Sequence, residues 1–213
     1  MRRIRAKQTN SNILKIHINE HRGIYIVISI MFVIGFIVGT INAAFIDENI
    51  RNESHNYILN FVEYLKTQEI NNKILLKESL IANIKPLIYI MLFGLIFIGA
   101  PFILVYIGLY GYSIGFTVTS ILASLGTSKG IIFIFAMMIP QEIILLPTLA
   151  IIATNAILFS KMMLRINNRS IDIKKEFLKY SIIAIMAALV IIGVSLFETY
   201  ISSNLTKIAI QLI

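Results

Sequence analysis

Residues 86–128 contain no Asp, Glu, Lys or Arg. A helix crosses the roughly 30 Å hydrocarbon core of a bilayer with about 20 apolar residues, at 1.5 Å each. This stretch is therefore too long for one span and suits two. Residues 24–46 are equally free of charge, residues 130–160 carry only Glu142, and residues 180–197 carry none. Inside hydrocarbon the backbone must satisfy its own N–H and C=O groups, and for runs this long that means α-helix. The expected fold is an all-α polytopic membrane helical bundle of about five transmembrane helices, one integral membrane domain over residues 1–213. Composition agrees: 57% of residues are hydrophobic and 14% charged, where soluble chains carry about a quarter charged. With no cysteine, disulfides and thiolate metal sites are excluded.

The first span is expected at residues 24–46. Arg2, Arg3, Arg5 and Lys7 ahead of it could open a signal peptide. A signal core is only about 7–15 residues long, however, so an uncleaved span is the better reading. Gly108 and Gly111 bracket Leu109-Tyr110 and mark a turn. Span two is then 87–107, kinked near Pro101, and span three 112–125. Residues 130–160, holding Pro140 and Pro147, read as one long broken span, with a re-entrant pair as the alternative. The last span is 180–197.

Lys and Arg placement orients the chain. The leader, residues 1–23, holds Arg2, Arg3, Arg5, Lys7, Lys15 and Arg22 against Glu20, and the loop 161–179 holds Lys161, Arg165, Arg169, Lys174, Lys175 and Lys179 against Asp172 and Glu176. Both are expected in the cytoplasm. Residues 47–85 are near neutral and are expected outside, as is the tail, 198–213. This places the N-terminus in and the C-terminus out. The net charge of +8 then reflects topology and contact with lipid phosphate. No DNA-reading motif accompanies it, so nucleic acid is not an expected partner.

In the outer segment Ile58, Val62 and Leu65, and again Leu76, Leu80 and Ile84, recur at helical spacing among charges. This predicts two extracytoplasmic amphipathic helices, packed or interfacial, or serving as a docking surface. Gly111, Gly115, Thr119 and Ala123, and Gly35, Gly39 and Ala43, fall four apart. Such stripes let helix backbones approach closely. Internal packing is preferred, with a homo-oligomer contact as the alternative.

Pro140, Gln141, Glu142 and Pro147 mark the one segment where a buried site would form. Each proline deprives a carbonyl one turn earlier of its partner, that of Ala136 or Ile143, and the Gln141 amide is a candidate replacement donor. A lone intramembrane Glu is a functional candidate by default, and a proton or cation pathway through Glu142 is the transport reading. Such pathways use several polar stations, and the apolar blocks offer no second ionisable residue, only Asn155 as a further amide. His17, His21 and His55 lack metal-ligand spacing. No phosphate-binding loop, zinc-protease motif or nucleophile elbow occurs. No catalytic residue, cofactor or metal is expected, and the chain is read as not an enzyme.

The residues Gly99-Ala100-Pro101, Gly111 through Gly115 with Phe116-Thr117-Val118, Ile139-Pro140-Gln141, Leu146-Pro147 and Phe159-Ser160 resemble the stage II sporulation protein M family. So do His17-Ile18-Asn19-Glu20 and Phe197-Glu198-Thr199-Tyr200. The likeness covers essentially the whole chain in order. Where the wider family has Pro-His-Gly and then Glu-x-Pro, this chain has Gln141, Glu142 and Leu145, which leaves His–Glu chemistry without its residues. The resemblance implies a membrane scaffold of the peptidoglycan-remodelling engulfment complex of endospore formers. It implies a place at the sporulation septum and, as partners, stage II sporulation proteins D, a lytic transglycosylase, and P, an amidase and endopeptidase. Both work outside the membrane.

Overall fold

The computed structural model describes residues 15–67, 71–164, 173–202 and Thr206, and every regular element among them is helical. The helices are α1 (Arg22–Phe45), α2 (Glu48–Thr67), α3 (Asn72–Gly94), α4 (Gly99–Leu125), α5 (Thr127–Met137), α6 (Ile139–Met163) and α7 (Ile173–Phe197), followed by a π-helical turn, Glu198–Ser202. Helices α1, α4, α6 and α7 are each long and apolar enough to cross a membrane. The outward faces of these helices are apolar: Ile26, Ile30, Val33 and Ile37 on α1, Phe102, Val105 and Leu109 on α4, and Ile182, Ile185 and Leu189 on α7 are all exposed. In water such a surface would drive aggregation. Facing lipid tails, it is the expected surface of a polytopic bundle.

Helices α1 and α4 run parallel, because Gly35 meets Gly108 and Gly39 meets Tyr112. Two parallel helices joined by one chain need a return between them, and α3 supplies it. Its Phe93 stacks on Phe102 and its Tyr89 ring packs tilted against Tyr106, so α3 lies antiparallel to α4. Gly99 against Ser160 and Tyr110 against Glu142 make α6 antiparallel to α4. Phe159 on Tyr180 at one end and Gln141 against Glu198 at the other make α7 antiparallel to α6. The near end of the bundle thus holds the start of α1, the α3–α4 turn, the end of α6 and the start of α7. Helix α6 is central: half of its apolar window is buried, against 17–28% for the other three candidate spans.

The structure moves the turn predicted at Gly108 and Gly111. Residues 99–125 form one unbroken helix, and the reversal falls at residues 95–98. Spans 87–107 and 112–125 are replaced by α3 and α4. Pro101 does not kink a span. It sits in the first turn of α4, where a missing N–H has no helical partner to lose. The reversal is held by Ser160 of α6, whose hydroxyl donates to the Ile96 carbonyl at 2.8 Å and accepts from the Gly99 N–H at 3.1 Å. Ser160 is fully buried. Ser160→Ala removes both bonds but leaves the Gly99 N–H on the Ile96 carbonyl at 2.9 Å, so it is expected to lower stability by about 0.5–1.5 kcal/mol, read as a lower unfolding temperature in detergent. An unchanged midpoint would show that the turn does not depend on this hydroxyl.

Residues 127–163 divide at Met138 (φ −103°) into α5 and α6. Pro140 follows in the first turn of α6 and has no N–H to continue the ladder from α5, so the helix is interrupted here. Pro147 lies within α6, which continues past it. Helix α5, with only 11 residues, packs with Val62 of α2 and Ile121 of α4 in a small second core at the far end. Gly126 (φ +78°) makes the α4–α5 link in a backbone conformation that other residues rarely adopt. The last helix begins at Ile173, not at 180, and carries Lys174, Lys175, Glu176 and Lys179 in its first turns. Residues 1–14 of the leader, 165–172 of the basic loop and most of the tail lie outside the described residues.

Candidate functional site

Three helices bring polar side chains together towards the far end of the bundle. Ser79 and Asn83 lie one turn apart on α3. Gln141 and Glu142 stand in the first turn of α6, where a negative charge is favoured by the helix dipole. Ser195 and Glu198 lie on the end of α7 and its π turn. Glu198 is the centre. The Ser79 hydroxyl donates to it, and the Asn83 amide donates at 3.0 Å. With its nitrogen turned to the carboxylate, the Gln141 amide donates to both oxygens at 2.9 and 3.1 Å. The Asn83 amide also reaches the hydroxyls of Ser79 at 3.2 Å and Ser195 at 3.1 Å. Glu142 sits beside this group and accepts the Tyr110 hydroxyl of α4 at 3.1 and 3.3 Å.

A carboxylate is acceptor-only, and the donors seen on Glu198 are all neutral. The arrangement solvates a charge inside an apolar bundle and, in doing so, laces α3, α6 and α7 together, with α4 attached through Tyr110. In a low-dielectric setting such bonds strengthen, and stranding one member is expensive. Two spaces border the cluster. A cavity of about 220 Å³ between α2 and α3 is lined by Glu78, Tyr64, Asn71 and Glu198. A cleft of about 270 Å³ between α1, α4 and α6 is lined by Phe32, Tyr110 and Pro147.

Of the residues singled out in the sequence, Gln141 and Glu142 are in this cluster. Pro140 starts their helix and Pro147 lies on the neighbouring cleft. Gly111 and Gly115 are elsewhere, on the α1–α4 contact, where added Cβ atoms would lie 2.3 Å from the Phe32 carbonyl oxygen and 2.2 Å from that of Phe36. The expectation that Glu142 has no ionisable companion is corrected. Glu198 is its neighbour, although by sequence it falls in the tail, as Ser79 and Asn83 fall in the outer segment. The available signal was spacing: 79 with 83 and 195 with 198 each share a helix face. Gln141 serves Glu198 and not a proline-freed carbonyl, and Asn155 bonds its own helix at Ile151. His17 is half-buried against Tyr25 and His21, and burial, with His21 nearby, holds its pKa below the usual imidazole value. Among the described residues no group of His, Asp and Glu is placed to hold a metal ion.

Residues 28–203 match the family described as stage II sporulation protein M. The chain belongs to the stage II sporulation protein M family. The match runs from α1 through the π turn and so includes Glu142, Glu198 and their donors. It makes this a sporulation-related membrane protein. No curated protein and no solved structure matches the chain.

Proposed function

We propose that this stage II sporulation protein M family member is a non-enzymatic scaffold that holds peptidoglycan-remodelling hydrolases, stage II sporulation proteins D and P, at the sporulation septum for engulfment. The near end, bearing Lys161, Lys174, Lys175 and Lys179, faces the cytoplasm on the Lys and Arg rule. The far end then faces the wall, where those hydrolases act. The observation that carries the reading is the family match together with what stands at that end. Helix α2 is charged and amphipathic, not a span, and it flanks a groove of about 490 Å³ lined by Tyr57, Phe61, Phe116 and Phe133.

Tyr57 and Tyr64 of α2 are exposed, and aromatic side chains of this kind are common anchors in interfaces. The variant Y57K/Y64K should insert normally yet co-purify with the amidase at least about tenfold less well. Undiminished recovery would sink the assignment of α2.

The paired carboxylates favour a second reading, transport through the bundle. Against it, α6 buries Leu145, Leu149, Ile152, Ala153, Ala156 and Ile157 between Glu142 and Ser160, with the Thr154 hydroxyl among them. That is about 27 Å of helix with little to pass a cation. Under the scaffold reading Glu142→Gln leaves engulfment close to normal. Under transport it stops flux in reconstituted vesicles.

A further inference from the structure

The helical ladder breaks just before α1. Residues 15–20 are helical, His21 is not (φ −116°, ψ 22°), and α1 begins at Arg22. Gly23 follows in its first turn, and a Cβ there would meet nothing within 4 Å. A non-helical residue beside a glycine that no packing constrains can absorb a change of backbone angle, which is what a hinge requires.

One side chain of the hinged segment is turned inward. Of residues 15–20 only His17 is half-buried, and the others, Ile16 and Ile18 included, are exposed. The His17 Nδ1 is bonded to the Tyr25 hydroxyl of α1 at 3.2 Å. Its ring packs edge-on against His21, with ring centres 4.9 Å apart, and it faces the Asn155 side chain of α6. Asn155 is held in place by its own helix, donating to the Ile151 carbonyl at 2.8 Å. His17 therefore bridges the segment to two helices of the bundle.

Histidine changes charge close to neutral pH. A proton on His17 puts a cation into this contact, beside a second imidazole that gains charge in the same range. Lys15 and Arg22 add positive charge nearby and Glu20 opposes it, all three exposed. The groups that meet His17 from α1 and α6, Tyr25 and Asn155, are neutral. Burial, and after it His21, hold the His17 pKa below the ordinary value of 6.5, outweighing Asn155 and Glu20, which raise it. Swung away from the bundle, the imidazole regains its ordinary value. The free segment then binds more protons than the docked one, so docking is fully present above about pH 6.5 and is lost as pH falls below it.

We infer that His17 is a proton-released latch, which holds residues 15–20 on the start of α1 and on α6 and frees them in acid. The latch lies at the near end and does not depend on the scaffold role or on the hydrolases, so its failure and that of the proposed function are separable.

The chain has no cysteine, so nitroxide labels at Ile18→Cys on the segment and at Ile185→Cys, exposed on α7, report a single distance by electron paramagnetic resonance. The full-length protein in neutral detergent should give one narrow distance at about pH 7.5 and a second, broader component at about pH 5.5. The ratio of free to docked segment should rise several-fold, up to about tenfold, the excess of protonated over neutral free imidazole about one pH unit below its pKa. His17→Gln retains an amide in place of the ring but cannot take the charge, and should give the same distribution at both pH values. Identical distributions for the parent at the two pH values overturn the inference without any further variant. So does a His17→Gln protein that opens in acid as the parent does, because the titrating group would then be another.

Discussion

Gly35→Ala should strip the protein of its fold in the membrane, although it adds only one methyl group. The new Cβ would lie 1.9 Å from the carbonyl oxygen of Gly108, and one at Gly39 would lie 2.1 Å from that of Tyr112. An unstrained carbon–oxygen contact is about 3.3 Å or more. The obstacle is backbone within a regular helix, so no rotamer change relieves it, and α1 must move off α4 by more than about 1 Å. Between helices in lipid there is no hydrophobic driving force to compensate, because close packing is itself the attraction. The expected loss is at the top of the overpacking range, about 3 kcal/mol. The measurement is the unfolding temperature in detergent, with the yield of inserted protein beside it. Gly193→Ala provides the contrast: nothing lies within 4 Å of its Cβ, so alanine's better helix propensity should leave stability equal or up to about 1 kcal/mol higher. If both variants unfold at the parent temperature, the two helices are not in backbone contact.

Glu198→Ala should be the most damaging polar truncation. It removes the shared acceptor of Ser79, Asn83 and Gln141 and leaves three donors without it in an apolar bundle. Hydrogen bonds to a charged group are worth about 1.5–3 kcal/mol each, and stranded donors add their own desolvation penalty. Glu198 is half-buried, so the net loss expected is about 3 kcal/mol, the lower end of the range for breaking a buried charged network. Glu142→Gln should be far milder, since the Tyr110 hydroxyl still has an amide oxygen to donate to. Unfolding of E198A and E142Q side by side, with a disulfide trap between α3 and α7 as a readout of their pairing, decides the matter. Equal, small effects would mean that Glu198 is not the keystone of the network.

Some of this architecture was legible along the chain. The apolar runs imposed helices because the backbone has no other way to satisfy itself in hydrocarbon, and α1 lies where its run lies. Gly35, Gly39, Gly111 and Gly115 announced close helix contact by spacing alone. Pro140 announced an interruption. The α3–α4 turn is marked only by the glycines that bracket it, Gly94 and Gly99, since 95–98 itself has no glycine, proline or polar residue. The Gly108–Gly111 pair looked like a turn because glycine at a reversal and glycine at a helix contact are the same letters. What separates the two is whether a partner helix is there to be touched.

The membrane class, the helical periodicity and the small-residue faces are therefore properties of short stretches of chain, and they follow from local composition and spacing. The α3–α4 reversal and the network on Glu198 are not. Ser160 closes the turn from more than sixty positions away, and Ser79 meets Glu198 across 119. Such contacts exist only once α6 and α7 have packed beside α3. The free energy that selects them, hydrogen bonds with no water to replace them, belongs to the assembled bundle and to no segment of it.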